Sequence, residues 1–248
     1  MAKTPTPSIQ CFEFPDGRIL ARKYQVVSCL GRGWEGEVYL LRELATGIER
    51  AAKFFFPHRN PGNKALNFYA RKLHKLRECP SLIQYHTQET LSIRGQDISF
   101  LVSDYVDGEP LTEFLKAQPG GRLDSFQGLH LLHSLTSAIE GIHKLQDYHG
   151  DLHPGNVLIR RQGLGFDIRL LDFFHWGRST PEHLRDDLVD VIRIFYDSIG
   201  GASRYYRQPA EVKAICLGLK RTLILKRFKT MTALREHLET MPWGEVYH

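Results

Sequence analysis

The chain contains 248 residues and carries a net charge of +5; 42% of the residues are hydrophobic and 25% are charged. This composition is that of an ordinary globular protein and argues against a disordered or fibrous chain. No apolar stretch reaches the roughly 18 to 20 residues that span a bilayer, so no membrane span is predicted. Met1 to Gln10 is polar, without the apolar core of a signal peptide, and is interpreted as a loose tail.

The cysteines and the basic residues narrow the class further. Four cysteines lie far apart with no C-x-x-C pair, which argues against zinc and a disulfide framework and favours a reduced, cytoplasmic compartment. Basic residues crowd the segment from Lys64 to Arg77, but no regularly spaced stacking aromatics accompany them. The pattern therefore argues against nucleic acid as a partner, and a basic chain that binds a polyphosphate ligand fits at least as well.

The predicted elements change in character near the middle of the chain. Between about residues 24 and 105, short runs rich in β-branched and aromatic residues predict strands: YQVVSCL, EVYLLREL, ERAAKFFF, LIQYHTQETLSI and DISFLVSDYV. One helix interrupts them, roughly from Asn63 to Arg77. After Leu111 three apolar stripes at helical spacing predict helices, which cover Phe126–Leu145, Leu188–Ile199 and Met231–Met241. A sheet-rich lobe followed by a helical lobe is an α+β arrangement, with a cleft expected between the lobes.

Two motifs of the sheet-rich lobe carry candidate chemistry. The run GRGWEGEVYL places Gly31, Gly33 and Gly36 between two predicted strands, where glycines let a backbone approach phosphate oxygens closely. Taken alone, such glycines are more often only a hairpin turn. Lys53 is the one charge in the apolar run AAKFFFP, which favours a lysine that meets an anion. An edge strand with Lys53 pointing to solvent is the alternative.

The helical lobe contributes a polar loop, YHGDLHPGN, followed by the apolar run VLI. Asp151 and Asn156 lie in this loop, and Asp172 ends a second apolar run, RLLDFF. An amide oxygen and a carboxylate, from Asn156 and Asp172, together with nucleotide phosphates are the ligands that Mg²⁺ prefers. Asp151 would then orient or deprotonate an attacking hydroxyl. Zinc held by His149 and His153 needs a third ligand, which no nearby residue supplies at suitable spacing.

In this order and spacing the motifs resemble those of the protein kinase superfamily. The glycine-rich loop, the A-x-K lysine, the H-x-D-x-x-x-x-N loop and the D-F motif occur in the right order. With the closing helices, the resemblance covers nearly the whole chain from Tyr24 to Leu238. The resemblance implies a bilobal kinase fold, with an antiparallel-sheet N-lobe that contains one main helix and a helical C-lobe. The implied division is an N-terminal tail (1–20), an N-lobe (21–105) and a C-lobe (106–248), which together form one catalytic domain.

The resemblance also implies roles for individual residues. Lys53 would hold the α- and β-phosphates of ATP, and Asp151 would be the catalytic base. Asn156 and Asp172 would coordinate Mg²⁺. The adenine-binding positions come from both lobes: Val38 and Ala51 above the ring, Leu158 below it, Ser103 as the gatekeeper-like residue, and the backbone of Asp104 to Val106 for hydrogen bonds.

Several departures from the kinase pattern are visible. The catalytic loop has HGD where protein kinases usually have HRD. The sequence of this loop resembles those of aminoglycoside phosphotransferases and atypical kinases, whereas the closing helices resemble those of eukaryotic-like bacterial Ser/Thr kinases. Phe174 replaces the glycine of the metal motif, and only 14 residues separate Asp172 from Asp187, which is expected at the start of the central buried helix. The segment is too short for an ordinary activation segment.

The departure with most bearing on catalysis is the absence of an acidic residue from the helix Asn63 to Arg77. In protein kinases a glutamate of this helix pairs with the strand lysine. Glu35, Glu37 and Glu78 are the candidate substitutes, and the sequence does not choose among them.

Two functions follow. The first is a phosphotransferase that moves the γ-phosphate of Mg-ATP to a hydroxyl of a protein Ser/Thr substrate or of a small molecule. The alternative is a pseudokinase that works as a nucleotide-binding or scaffolding protein. Every residue that would contact phosphate, metal or the attacking hydroxyl is present, which favours catalysis.

Overall fold

The computed structural model describes residues 9–163, 165–173 and 177–242. The chain divides into two compact units, Met1–Glu78 with Ile83–Val106, and Cys79–Leu82 with Asp107–His248. The first unit is built on an antiparallel sheet with one main helix, and the second is mainly helical, so the predicted α+β class is confirmed.

The sheet of the first unit has, among its described residues, six antiparallel strands in the order β1-β2-β3-β4-β6-β5. The elements of this unit, in chain order, are β1 (Ile19–Leu20), β2 (Tyr24–Arg32), β3 (Gly36–Glu43), β4 (Glu49–Phe55), α1 (Lys64–Lys75), β5 (Tyr85–Ile93) and β6 (Gln96–Asp104). The edge strand β5 is never fully buried, whereas β6 is buried from Ile98 to Ser103. The apolar run DISFLV therefore forms an interior strand of the sheet, whereas the run LIQYHTQETLSI forms an edge strand.

The segment before β1 is part of the core of the first unit. Ile9, Phe12 and Phe14 are buried, and the Phe14 ring packs edge-on against Phe54 with a centroid distance of 5.0 Å. The backbone amide of Phe12 donates to the buried carboxylate of Glu37 at 3.2 Å. The predicted loose tail is therefore wrong from Ile9 onward, because three large apolar side chains find an uncovered face of the sheet. Residues 1–8 of the predicted tail lie outside the described residues.

The second unit contains a small sheet of order β7-β8-β9 and a set of helices. Its elements are β7 (Glu109–Pro110), α2 (Leu111–Ala117), α3 (Ser125–Lys144), β8 (Val157–Gln162), β9 (Gly165–Leu170), α4 (Pro181–Ser198), α5 (Gly201–Arg204), α6 (Ala210–Cys216), α7 (Arg221–Arg227) and α8 (Met231–Thr240). The three helices predicted from apolar stripes correspond to α3, α4 and α8. None of the helices in the described part of the chain is both long and apolar enough to cross a membrane.

Helices α3 and α4 form the frame of the second unit. The Asp124 side chain accepts the Gln127 amide at 2.8 Å and caps α3. A Cβ atom at Gly128 would lie 2.4 Å from Ile199 Cγ2 and 3.0 Å from the Phe195 ring. Glycine at this position therefore lets the start of α3 approach the end of α4 closely.

The β8–β9 hairpin brings two distant segments together. The loop that follows α3 ends where β8 begins, and Asp172 follows the end of β9. The Leu171 amide donates to the Asn156 carbonyl at 2.9 Å, which joins the two segments directly. Asn156 and Asp172, 16 positions apart in the sequence, thus become neighbours.

Candidate active site

The glycine-rich turn connects β2 to β3. The Gly33 amide donates to the Gly36 carbonyl at 2.9 Å, which closes the turn. A Cβ atom at Gly36 would lie 1.9 Å from the carbonyl oxygen of Phe54 on β4, so the fold itself requires glycine there. A Cβ atom at Gly31 or at Gly33 would meet no described atom within 4 Å, and neither residue has a left-handed backbone. The packing and backbone of the described residues thus explain Gly36 but not Gly31 or Gly33.

Lys53 lies in β4, between β3 and β6, where it pairs with Val38 and Leu101. Its side chain is only 11% exposed, and its ammonium nitrogen lies 2.9 Å from Glu35 Oε2. The ring of Tyr69, on α1, has its centroid 4.7 Å from the same nitrogen, close enough for a cation–π interaction. The alternative of a solvent-facing lysine on an edge strand is therefore wrong.

The three carboxylates that the sequence offered as partners of Lys53 lie in different places. Glu35, in the glycine-rich turn, is the one that pairs with it. Glu37 is fully buried and accepts hydrogen bonds from Phe12, Tyr39 and Arg32. Glu78 follows α1 and lies 3.5 Å from the Arg77 guanidinium.

The Glu37 network belongs to the core of the first unit. Burial, and then the hydrogen bond to Glu37, raise the pKa of Tyr39 above its ordinary value. The Tyr39 hydroxyl accepts the Phe14 amide at 3.2 Å while it donates to Glu37. Glu37 therefore holds the segment before β1 against the sheet, and Glu35, two residues earlier, is the carboxylate near Lys53.

The predicted adenine-binding positions of the first unit lie on adjoining strands. Val38 and Ala51 are half-buried on β3 and β4. Ser103 is buried on β6, and its hydroxyl lies 3.4 Å from the Ala51 carbonyl.

The hinge residues are partly engaged within the first unit. The Asp104 carboxylate is 2.9 Å from Arg50 and also contacts His86, and the Asp104 amide donates to the Gln84 carbonyl at 3.0 Å. Of the predicted backbone hydrogen bonds to a ligand, the one from the Asp104 amide is therefore excluded, because this N–H group is already used. The Asp104 carbonyl and the backbone of Val106 remain as candidates.

In the second unit a buried aspartate holds the polar loop. Asp187 is completely buried in α4, and its carboxylate accepts the amides of His149 at 2.8 Å and Gly150 at 3.0 Å. The same carboxylate lies 3.0 Å from His143 Nε2, on α3. Gly150 has φ +82°, a left-handed conformation that suits glycine. Asp187 lies in the central helix, as the sequence predicts, but six residues after the first helical residue, Pro181, and not at the start.

The loop and the segment after β9 bring Asp151, Asn156 and Asp172 together. The Asn156 side-chain nitrogen donates to the Asp151 carbonyl at 2.9 Å and lies 3.4 Å from Asp151 Oδ2 and 3.5 Å from the Asp172 carbonyl. Asn156 is 7% exposed, whereas the Asp151 side chain is 52% exposed. A fixed amide thus supports a carboxylate that solvent and a substrate can reach.

The backbone of Asp172 has φ +48°, a conformation that non-glycine residues adopt rarely and that is frequent at functional sites. The next residue, Phe173, is buried and packs against the His149 ring with a centroid distance of 4.8 Å. His149 Nδ1 in turn accepts the Asp151 amide at 3.3 Å. Phe174 follows Phe173 at the position of the glycine in the kinase metal motif, and it lies outside the described residues.

The remaining loop residues have distinct surroundings. The His153 side chain is 51% exposed, and its Nε2 lies 4.0 Å from Asp151 Oδ2, while its Nδ1 accepts the Gly155 amide at 3.1 Å. Leu158, predicted to lie below adenine, is half-buried in β8 opposite Pro110. His153 is therefore a neighbour of the predicted catalytic carboxylate.

The described residues just before α4, from Gly177 onward, and the start of α4 contact other parts of the second unit. The Tyr148 hydroxyl donates to the Gly177 carbonyl at 3.0 Å, and Thr180 caps α4. Glu182 forms ion pairs with Arg185 and Arg221. The Glu182–Arg221 pair links α4 to α7 and, as a tertiary contact, could not be predicted from the sequence.

The donor atoms around Asn156 fit a hard cation. Its amide nitrogen is occupied by the Asp151 carbonyl, so the Oδ1 atom is the one that would face a metal. Together with the Asp172 carboxylate it would supply oxygen ligands only, which are the ligand type of Mg²⁺. The residues present therefore fit the metal that the sequence predicts.

An antiparallel sheet with a largely buried lysine on β4, followed by a helical unit with an aspartate loop, defines the class of kinase-like folds. The PknI kinase domain of Mycobacterium tuberculosis matches the chain with a TM-score of 0.64 and 21% identity, over 92% of this chain and 99% of that domain. A single-substitution mutant of the same domain gives a TM-score of 0.67 at 22% identity, over 92% of this chain and 98% of that domain. These similarities confirm the predicted bilobal kinase fold.

The protein kinase domain family model matches residues 24–192. The chain belongs to the protein kinase family, and the predicted resemblance is thus confirmed.

Curated relatives agree with this assignment. Serine/threonine-protein kinase PrkC of Bacillus subtilis is 28% identical over 160 residues, which cover 63% of this chain and 23% of PrkC. CBL-interacting protein kinase 1 of Oryza sativa subsp. japonica is 30% identical over 171 residues, 68% of this chain and 34% of that protein. This chain therefore corresponds to about a quarter to a third of these longer relatives. "Probable serine/threonine-protein kinase YbdM" of Bacillus subtilis is 25% identical over 246 residues, which are 90% of this chain and 91% of that protein.

Proposed function

We propose that the chain is an ATP-dependent phosphotransferase that moves the γ-phosphate of Mg-ATP to a hydroxyl group, with Asp151 as the catalytic base. The observation that carries this proposal is the support of the Asp151 loop. Buried Asp187 holds the two preceding residues by their amides, and Asn156 holds Asp151 itself. A carboxylate that is fixed by its backbone and half exposed at its tip suits the removal of a proton from a bound hydroxyl.

In this proposal the first unit binds the nucleotide. Gly31 and Gly33 leave space above the turn that no described side chain needs, which suits close approach of phosphate oxygens to the backbone. Lys53 would hold the α- and β-phosphates. Val38 and Ala51 would cover the adenine ring.

The second unit supplies the rest of the chemistry. Leu158 would cover the adenine ring from below, and Asn156 and Asp172 would hold Mg²⁺, which when bound neutralises charge on the phosphates. The exposed His153, 4.0 Å from Asp151, would lie beside the transferred phosphate. Asp151 would orient the acceptor hydroxyl and accept its proton.

The acceptor is proposed to be a Ser or Thr hydroxyl of a protein, and the names of the relatives support this class. A small-molecule hydroxyl is the other acceptor that fits, because the segment between Asp172 and α4 is short and gives a peptide little length to pair with. A cytoplasmic location goes with the proposal, since ATP and Mg²⁺ are supplied there.

One observation favours the scaffolding alternative. Helix α1 turns the aromatic ring of Tyr69, and no carboxylate from its sequence, toward Lys53. A protein that acts only as a scaffold does not need the helix glutamate that pairs with the strand lysine in protein kinases. The residues that would contact the reacting groups are nevertheless all present, and Asn156 contacts both Asp151 and Asp172.

Two measurements separate these functions. A thermal shift with ATP and Mg²⁺ tests nucleotide binding, because a ligand at 100 times its Kd adds about 2.7 kcal/mol of stability. Transfer of label from γ-labelled ATP to the protein itself or to a panel of peptides and small hydroxyl compounds tests catalysis. Wild type that binds ATP but transfers no label across the panel, and so equals Asp151→Asn, supports the scaffold and contradicts the proposed phosphotransferase.

A further inference from the structure

The strand lysine is held from an unexpected direction. Lys53 is 11% exposed, and Glu35 Oε2 lies 2.9 Å from its ammonium nitrogen. The Tyr69 ring centroid is 4.7 Å away and the Phe55 ring centroid 5.3 Å away. Helix α1 has no acidic residue from Lys64 to Lys75, so a carboxylate cannot reach Lys53 from this helix, and one reaches it from the glycine-rich turn.

The position of Glu35 is fixed by the same strand that carries the lysine. Its carbonyl oxygen accepts the Phe56 amide at 2.9 Å, immediately after β4. Gly36, the next residue, packs so closely on Phe54 of β4 that a side chain is excluded. Both partners of the ion pair are therefore anchored on β4, and the pair does not depend on where α1 lies.

The ion pair is compatible with anion binding by the lysine. An ammonium group has three N–H donors in a rotatable arrangement, so an ion pair with one carboxylate does not prevent it from donating to an anion. The aromatic rings of Tyr69 and Phe55 restrict where the ammonium can point while they offer no acceptor as strong as a carboxylate or a phosphate. When a nucleotide is bound, the Lys53 ammonium can therefore donate to phosphate oxygens at the turn while Glu35 stays in place.

From this geometry we propose that Glu35 is the positioning residue of Lys53 in phosphate transfer, so that the glycine-rich turn, and not helix α1, sets the lysine. The inference rests on the proposed function and concerns how that site is held in its working form. Its consequence is that activity does not require a movement of α1. A nucleotide that binds at the glycine-rich turn therefore contacts a lysine whose ammonium group is already oriented.

The role predicts a separation of rate from binding. Glu35→Gln keeps the shape of the side chain and removes its charge, so Lys53 loses its orienting partner while the turn and the glycines remain. We expect kcat at saturating ATP to fall 10- to 100-fold, since a misplaced catalytic group costs up to about 10²-fold. The Kd for ATP should change less than about 3-fold, because the removal of a negative charge beside the phosphates offsets the looser lysine.

A second variant tests the role without relying on a loss. Tyr69 already places its ring beside the ammonium of Lys53, so Tyr69→Glu delivers a carboxylate from α1 to the same atom. In the double variant Glu35→Gln/Tyr69→Glu, kcat should recover at least about 5-fold over Glu35→Gln alone, since the orienting charge is restored. The matched control is Glu49→Gln, which removes a carboxylate of β4 that pairs with Arg42 on the surface and should leave kcat unchanged.

The outcomes are distinguishable. Wild type without phosphate transfer overturns the proposed function, and this inference falls with it. Active wild type with an equally active Glu35→Gln, folded by its melting temperature, overturns the positioning role alone. A Glu35→Gln that binds ATP more tightly and works faster also overturns it, because Glu35 would then be a contact that blocks the lysine.

Discussion

Replacement of Asp187 by asparagine tests whether a buried carboxylate holds the catalytic loop. The carboxylate accepts two backbone amides, at 2.8 and 3.0 Å, and lies 3.0 Å from His143 Nε2. Asparagine keeps one oxygen but turns an NH₂ group toward groups that also donate. Hydrogen bonds to charged groups contribute about 1.5–3 kcal/mol each, so the loss of two of them predicts a free energy of unfolding lower by about 3–6 kcal/mol.

The matched control is Asp186→Asn, one residue earlier on α4. The Asp186 side chain is 49% exposed and pairs with Arg221 at 2.8 Å, and such surface pairs contribute about 0–1 kcal/mol. Urea unfolding of the full chain, followed by far-UV circular dichroism, measures both variants under the same conditions. If Asp187→Asn lies within about 1 kcal/mol of Asp186→Asn, the buried carboxylate does not hold the loop and the reasoning is refuted.

Two further predictions concern the glycine-rich turn and the partly buried acid Asp190. Gly36→Ala should lower the free energy of unfolding by about 2–3 kcal/mol because its Cβ meets Phe54. Gly33→Ala should leave the free energy of unfolding unchanged and weaken ATP binding. Equal stability losses in the two variants would contradict the structural role assigned to Gly36. Burial, and then the charge of Asp187, raise the pKa of Asp190 to about 6. The folded state therefore favours the neutral acid, and wild type should lose about 2–3 kcal/mol as the pH rises from about 4 through 6. Asp190→Asn should remove this loss, and unfolding curves of wild type and variant that stay parallel from about pH 4 to 7 would exclude it.

The secondary structure of the first unit follows closely from local sequence. The five runs rich in β-branched and aromatic residues became β2 to β6, and the helix predicted from Asn63 to Arg77 is α1, Lys64–Lys75. These elements were predictable because each has one strong period and a clear break on either side. The residues before β1 were not, because Phe12 and Phe14 lie in a short segment whose burial depends on a sheet face formed by residues much farther along the chain.

The loop residues were predictable for a different reason. Asp151 and Asn156 lie within one turn-forming segment, and Asp172 follows the next strand of the same hairpin, so their contact needs only a β8–β9 pairing. The location of Asp187 in the central helix was predictable because this helix has a strong apolar stripe, although the helix begins earlier than expected, at Pro181. The contacts of its carboxylate with the loop amides, however, are tertiary and leave no sequence pattern.

The carboxylate partner of Lys53, Glu35, could not be predicted from the sequence. Side chains alternate between the faces of a strand, and in the observed register Val38 lies opposite Lys53 while Glu37 lies opposite Phe54. Glu37 therefore belongs to the face of Phe54, away from the lysine. Alternation could have excluded Glu37, but only with the register of β3 on β4 known. The choice of Glu35 further needed the shape of the turn, which depends on the packing of Gly36 on β4.

The most direct test of the central claim is the initial rate of label transfer from γ-labelled ATP, with Mg²⁺, by wild type, Asp151→Asn and the control Asp97→Asn, which removes an exposed carboxylate at the start of β6. General-base catalysis contributes about 10²- to 10⁴-fold to a rate. If Asp151 is the catalytic base, we expect a loss of that size for Asp151→Asn and an unchanged rate for Asp97→Asn. We expect an ATP-induced thermal shift in all three proteins. Equal rates for wild type and Asp151→Asn would contradict this role of Asp151.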